Sequence, residues 1–578
     1  MDTGSGESHV HLRQVIDDEI NSLEQSIQVL KARRNALAPI SCLPPETLAA
    51  IFSFLPPSMD NLQWIYVSHV CRQWREAALN HPRLWSHIKL SKPALAAVTE
   101  ILARAKMAPL HLDVDFTAWR SLEQINAFER QLKDHISHTH HLRICGLLPQ
   151  HERYLPTAAT PVFLPLMHIP LSHYPSRDVI PVNLFDCTSP SLTSLELQRC
   201  DISWKSPLLK GLQVLEIRWP SQEAGPKLEA WLDALNEMPQ LRTLSLHSAT
   251  PVASQAPLLS EPSRTVALPS LTKFLISASA KSCTLAFAHL VMPALTSLHV
   301  VAEFHEHEGE DMQLLIPYVA RNVCGWQDTE PLRSILINGE RKHIERKHVN
   351  VFAWIMPDAD IEGYDPNKYH ASIPARLTFT ATSTKWFRGV DIGILDALLT
   401  LLPVDSVSTI IAHNYTQFSK EFWLRQAPRF PSLEQAHLAP SAVKAFRDML
   451  AEDTPPDGPR LPSLTKLIVI HVVLTAPRTL SFRDMLIERA EQGVPLDVLD
   501  LRTCAAPEHI IQLLREIVVD VKEPARDPME NDEFSIWGPS FFDLHAKFGS
   551  WNEARFDDDP VPLHEEDGAE YDEYYDDD

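Results

Sequence analysis

Two short stretches of this sequence bring together side chains able to ligate a metal ion. His135, His138, His140 and His141 form one; His305, Glu306, His307, Glu308, Glu310 and Asp311 form the other. Imidazole and carboxylate both bind zinc, but a built site fixes them by spacing, as in HExxH on one helix face or in paired cysteines. Neither stretch has that spacing, and a chain with 27 histidines among 578 residues produces local groups readily. Both are read as solvated loops. No GxxxxGK run followed by Ser or Thr, no GxSxG and no kinase-type set of motifs occurs. Scattered Ser, His and Asp residues do not define a triad, which is a matter of geometry. The expectation is a chain that is not an enzyme and holds no metal or cofactor. The alternative, an enzyme built on the His-rich loops, would carry a stoichiometric metal.

The residues with clearer work to do are apolar. Pro44 and Pro45 suit a first helical turn, where a missing N–H costs little, and Glu46 suits the positive end of the helix dipole. Leu48, Ile51, Phe52 and Leu55 then fall on one face, and Pro56 and Pro57 stop the helix. A second run puts Val67, Val70, Cys71, Trp74, Ala77 and Ala78 on one side, and Pro82, Leu84, Trp85 and Ile88 follow. So small a unit has little interior, which leaves some of this surface for a partner. Physical chemistry alone reaches a helical docking module.

The same residues resemble an F-box: Leu43-Pro44-Pro45-Glu46, then Ile51, Phe52 and Leu55, then Val70-Cys71-Arg72-Gln73-Trp74-Arg75, then Leu84-Trp85. The resemblance implies binding to the S-phase kinase-associated adaptor of SCF ubiquitin ligases and, through it, to a cullin scaffold. Carried over by motif position, the implied adaptor contacts are Leu43, Pro44, Ile51, Phe52, Leu55, Val70, Cys71, Arg72 and Trp74. Some of these must instead hold the module together.

Before this module, residues 1–10 are expected to be disordered and residues 11–38 to form a helix. Ile16, Ile20, Leu23, Ile27, Leu30 and Leu37 step by alternating fours and threes, with Arg34 in the remaining slot, which is coiled-coil spacing over about three heptads. Packing on the next domain and a short coiled coil are both open. After the module, a phrase recurs: Pro-x-Leu-x-x-Leu-x-Leu, often with an apolar residue before the proline. Copies begin at Pro190, Pro239, Pro269, Pro293, Pro431 and Pro462. Three more triplets lack that proline: Leu212/Leu215/Ile217, Leu332/Ile335/Ile337 and Leu496/Leu499/Leu501. In the six full copies proline ends the preceding helix, and in all nine the last two apolar residues point inward from a short strand. The phrase is that of a stacked repeat, and its continuation to Cys200 and Cys504 resembles the leucine-rich-repeat consensus. The whole layout resembles the F-box proteins expanded in mushroom-forming fungi.

The expected architecture is therefore an N-terminal helix, a small all-α F-box at 39–90, and an irregular leucine-rich-repeat α/β solenoid, with a compact α/β domain as the alternative. The solenoid divides into a linking region at 91–188, repeats at 189–339, an insertion or degenerate repeats at 340–430, and repeats with a capping helix, Pro507 to Val519, at 431–520. An aromatic-rich segment at 521–556 and a disordered acidic tail at 557–578 follow. That tail supplies twelve carboxylates towards a formal net charge of −23. The balance excludes nucleic acid as the main partner. Sixteen glycines against 46 prolines argue against phosphate-cradling loops. Eight scattered cysteines, no apolar leader and no run long enough to cross a bilayer point to the cytoplasm or nucleus, with no membrane partner. The expected function is the substrate-recognition subunit of an SCF-type ligase, binding an unknown protein substrate through the repeats. The alternative is an interaction scaffold outside a ligase.

Overall fold

A computed structural model describes residues 4–54, 65–90, 95–116, 122–145, 191–199, 202–218, 225–251, 264–304, 309–325, 330–343, 346–355, 375–383, 390–412, 418–452, 458–470, 476–506 and 508–523, with a few single positions between. Cys200, the His305–Glu308 stretch, the aromatic-rich segment from residue 524 onward and the acidic tail lie outside these residues.

The chain opens with α1 (Gly4–Ala36), so the first ten residues are helical from Gly4 rather than disordered. Helix α1 stops three residues short of Pro39, as the restriction before proline requires. Three short helices follow: α2 (Pro45–Ser53), α3 (Val67–Val70) and α4 (Arg72–Leu79). The rest is a large mixed α/β sheet. Its strands are β1 (His87–Leu90), β2 (Leu110–Asp115), β3 (Thr139–Cys145), β4 (Ser194–Gln198), β5 (Val214–Arg218), β6 (Thr243–His247), β8 (Lys273–Ser279), β10 (Ser297–Phe304), β11 (Ser334–His343), β12 (Arg346–Trp354), β13 (Leu377–Ser383), β14 (Thr409–Ala412), β15 (Gln435–Leu438), β16 (Lys466–Val469), β17 (Val498–Asp500) and β18 (Asp520–Lys522). A separate two-stranded pair joins β7 (Val266–Ala267) to β9 (Leu290–Val291). The large sheet runs from β1 at one edge to β18 at the other and does not close into a barrel.

Almost every neighbouring pair in this sheet is parallel and follows chain order. Helices carry the chain back between strands, among them Leu95–Ala105, Leu228–Asn236, Ala280–His289, Pro440–Leu450 and Ala476–Glu491. The exception is central. Strand β10 pairs with β13, β13 with β12 and β12 with β11, the last two pairings antiparallel, and β11 then pairs with β14. Thus the region expected as an insertion or degenerate repeats supplies three strands, β12, β13 and β14, to the same sheet.

All nine apolar triplets lie at strands. In register across the sheet, Ile88, Leu112, Leu142, Leu195, Leu215, Leu244, Phe274, Leu298, Leu377, Ala353, Ile335, Ile410, Ala436, Leu467, Leu499 and Val521 form one continuous row. Every member is buried. A second buried row, two residues on, includes Val114, Ile144, Leu197, Ile217, Leu246, Ile276 and Val300. Strand alternation forces this: residues i and i+2 share a face, so one in-register stack makes one wall.

The proline has a specific job. In five copies the residue before it accepts a hydrogen bond from the N–H of the first leucine: Leu241 to Met238, Leu271 to Leu268, Leu295 to Met292, Leu433 to Phe430 and Leu464 to Leu461, at 3.1–3.3 Å. That is a β-turn with proline at its second position, where its fixed φ is already correct. The acceptor residues Met238, Leu268, Met292, Phe430 and Leu461 are buried, which explains the apolar residue before these five prolines. Cys504 lies in the turn after β17, buried, its thiol donating to the Val469 carbonyl at 3.1 Å; burial pushes its pKa up to about 12. Arg489 is also buried. Its guanidinium donates to the carbonyls of Arg460, Leu461 and Leu464, fixing the turn before β16.

The helix expected to cap the sheet spans Glu508–Arg515, but it leads into β18, which pairs with β17. It is therefore another crossover and not a terminal cap. Among the described residues no helix is long and apolar enough to cross a membrane.

The rows predict an asymmetry between the sheet's faces. Leu215→Ala, inside the row, should lower stability by about 3 kcal/mol, whereas Glu216→Ala on the opposite face should stay within about 0.5 kcal/mol. Denaturant unfolding checks this, and equal losses at the two positions would contradict it.

Candidate functional site

The helical module is built around a small core of its own. Leu48 and Phe52 from α2 meet Ala77 and Ala78 from α4, and Leu43, Val67, Trp74 and Leu84 pack around them. The Phe52 and Trp74 rings lie 5.0 Å apart, tilted. Pro44 sits just before the helix and Pro45 opens it, with Glu46 in the first turn. The Gln73 side-chain amide donates to the carbonyls of Ser41 and Leu43 at 3.1 and 3.4 Å, tying α4 to the turn at Pro39–Cys42.

The second apolar run is not one helix. Cys71 is extended, with φ −156° and ψ 173°, and it separates α3 from α4. The break turns Val70 away from the core that Trp74 and Ala78 share. Arg75 Nε spans the break by donating to the Ser68 carbonyl at 2.9 Å.

This geometry sorts the nine residues read from the sequence. Phe52 is 2 % exposed and belongs to the interior, and Leu43 and Trp74 brace it. Cys71 is half-buried at the break. Pro44, Ile51, Val70 and Arg72 face outward, Ile51 being 43 % and Val70 57 % exposed. Arg72 pairs with Glu76 at 3.1 Å, one turn on and in open solvent. Leu55 lies outside the described residues. The sequence reading omitted Phe54 and Tyr66. Both are large and open, Phe54 at 86 % exposure. Phe54 could have been found from its place directly after the amphipathic face and before the Pro56-Pro57 stop; Tyr66 carried no signal.

The module is not a bead on a string. Trp85 is buried in the sheet's core, while its indole N–H donates to the Ala78 carbonyl in α4 at 2.8 Å. Arg104, on the first crossover helix, lies over the Trp85 ring at 4.5 Å. Leu84 packs against both cores. Two residues after Trp85 the chain is already in β1.

A helical docking module with an open apolar surface, joined to a large mixed sheet, is the class of protein these elements define. Residues 40–91 match the F-box-like family, and the match supports an F-box protein. No curated protein matches the chain.

The sheet's other face varies along its length. Lys89, Asp113, Arg143, Glu196 and Glu216 occupy matching positions on β1 to β5. Arg143 bridges Asp113 at 3.0 Å and Glu196 at 3.5 Å. Further along, Leu336, Trp354 and Ile411 form a buried apolar cluster separate from the main core. Near the far edge, Asp500 is buried and held by the Arg502 guanidinium through three contacts of 2.8–3.1 Å, which keep its carboxyl below the usual range.

The first histidine stretch is not a solvated loop. His138 is buried in a turn, and its Nδ1 donates to the Ala108 carbonyl at 2.8 Å, which leaves Nε2 to accept from His135 at 3.0 Å. His140 and His141 begin β3. His141 stands in register with His111 and His87, the rings stacked at 5.9 and 4.4 Å. Among the described residues no group of three His, Cys, Asp or Glu is arranged to hold a metal ion.

Burial, then the neighbouring His87 and His141, lower the His111 pKa from 6.5 to about 4. The unfolded chain therefore binds this proton first, so the stability this neutral ring contributes is complete above pH 6.5 and is lost as pH falls towards 4. Acidification from pH 7 to 4.5 should lower the melting temperature, and His111→Gln should flatten that dependence. An unchanged slope in the variant would rule His111 out as a source.

Proposed function

We propose that this chain is the non-catalytic substrate-recognition subunit of an SCF-type ubiquitin ligase. The observation that carries the reading is the F-box-like match at residues 40–91, on a module that buries Phe52 and leaves Pro44, Ile51, Phe54, Tyr66 and Val70 open. F-box domains bind S-phase kinase-associated adaptors, and the open residues are of the right kind for such a contact. Large apolar side chains left exposed on a small, well-packed unit mark an interaction surface. Through the adaptor the chain would reach a cullin scaffold.

In this reading the sheet is a degenerate leucine-rich-repeat wall, a reading supported by the in-register apolar rows and the recurring proline turn. Its opposite face, charged on β1 to β5, would hold a protein substrate, and the cytoplasm or nucleus is where such a ligase would work. The receptor needs no reacting side chain. It raises the effective concentration of a substrate lysine near a charged conjugating enzyme, and rate follows from proximity. The close tie between Trp85 and α4 supports this role, because a substrate surface fixed relative to the adaptor sets that distance.

Affinity purification of the full chain followed by mass spectrometry tests the proposal. Ile51→Glu/Val70→Glu should cut adaptor and cullin recovery about thirtyfold or more, while the melting temperature stays near that of the wild type. Phe52→Ala should lose both adaptor and stability, since it opens the module's core. Deleting residues 43–88 is a poorer test because it removes half of β1. Full adaptor recovery with Ile51→Glu/Val70→Glu would end the proposal; adaptor recovery without cullin from the wild type would favour a scaffold outside a ligase.

A further inference from the structure

Helix α1 has 33 residues and is about 50 Å long. Every described residue from His9 to Arg34 is exposed, including Ile16, Ile20, Leu23, Ile27 and Leu30. A helix in water gains most of its stability by burying an apolar stripe, and no described residue covers this one. Its 4-3-4-3 spacing makes Ile20 and Ile27 a positions, and Ile16, Leu23 and Leu30 d positions, of a heptad pattern. We propose that α1 pairs antiparallel with α1 of a second copy of this chain, centred on Gln25.

Charge selects both the occupant and the direction. The positions flanking the stripe are acidic in its first half, at Asp17, Glu19 and Glu24, and basic in its second, at Lys31 and Arg33. Such flanking charges set partner and orientation in a coiled coil. With two copies antiparallel about Gln25, Ile20 meets Leu30 of the second copy and Leu23 meets Ile27. Asp17 then faces Lys31, Glu19 faces Arg33, and symmetry repeats each pairing. Only Glu24 meets a like charge, its own copy. The a-position residues Arg13 and Arg34 meet Leu37 and Ile16, where their stems lie on apolar surface and their heads reach water. A parallel pair in register does the opposite. It sets Glu19 against Glu24 and stacks Arg13 on Arg13 and Arg34 on Arg34. Shifting the antiparallel pair by one heptad loses core layers, and one of the two shifts sets Asp17 against Glu24.

Sedimentation of the full chain decides the matter. The wild type should run as two chains per particle, and Ile20→Lys/Ile27→Lys as one. Glu19→Arg should raise the dimer dissociation constant about fivefold or more, because it now faces Arg33 twice. Glu19→Arg/Arg33→Glu should restore it. A parallel pair predicts the reverse sign for Glu19→Arg, since that change relieves repulsion with Glu24. A wild type that stays single up to about 50 µM, a dimer that survives Ile20→Lys/Ile27→Lys, or a dimer left unchanged or strengthened by Glu19→Arg would each overturn the proposal.

Discussion

The structure depends on one constraint: each strand must present an apolar side chain at the same height as its neighbour's, and every strand but β18 adds a second two residues on. The row from Ile88 to Val521 crosses all sixteen strands without a polar member. No strand could bury its pair alone, because a single four- or five-residue strand has no second layer. Stacking supplies part of that layer, and the crossover helices supply the rest. The demand on sequence is correspondingly light. Size varies along the row from Phe274 to Ala353 and Ala436, and the turn residues vary too, provided the two inward positions keep their register.

The same economy joins the docking module to the sheet. Trp85 serves both, burying its ring in the sheet's core while its N–H answers a carbonyl of α4. Removing a polar or apolar half of that arrangement would orphan the other. A module that can be docked by a partner on one side is thereby held on its other side by side chains and not by a flexible linker.

Much of this was legible in the sequence because the proline phrase recurs. The proline phrase marks a turn whose physical reason, a preset φ with a buried residue before it, is local and therefore readable. Some strands without the phrase escaped. In β14 the inward pair is Ile410 and Ala412, with no proline at the usual offset; in β2 and β3 the inward pairs, Leu112 with Val114 and Leu142 with Ile144, lack it too. The antiparallel detour of β11 to β13 is non-local, so no periodicity reports it. At the module, helical spacing gathered Leu48, Ile51 and Phe52 on one face but could not separate Phe52 from Ile51, since both are large and apolar on adjacent positions. Cys71 broke the second run invisibly, because the apolar period continues across it. Phe54 was missed because it follows the face that spacing defines.

The detour in the middle of the sheet also bears on how the chain is assembled during synthesis. Up to β10 each new parallel strand finds its neighbour already in place, so contacts stay local. The free edge of β10 must then wait for β13, which arrives only after the β11–β12 hairpin. Long-range closure of this kind is slow compared with sequential addition. The polypeptide is thus divided in time into an early block ending at β10 and a late block that can close only once β13 slots in. The edge of β10 is the interval's exposed surface, and it is there that a chaperone or a wrongly paired strand would have its longest opportunity.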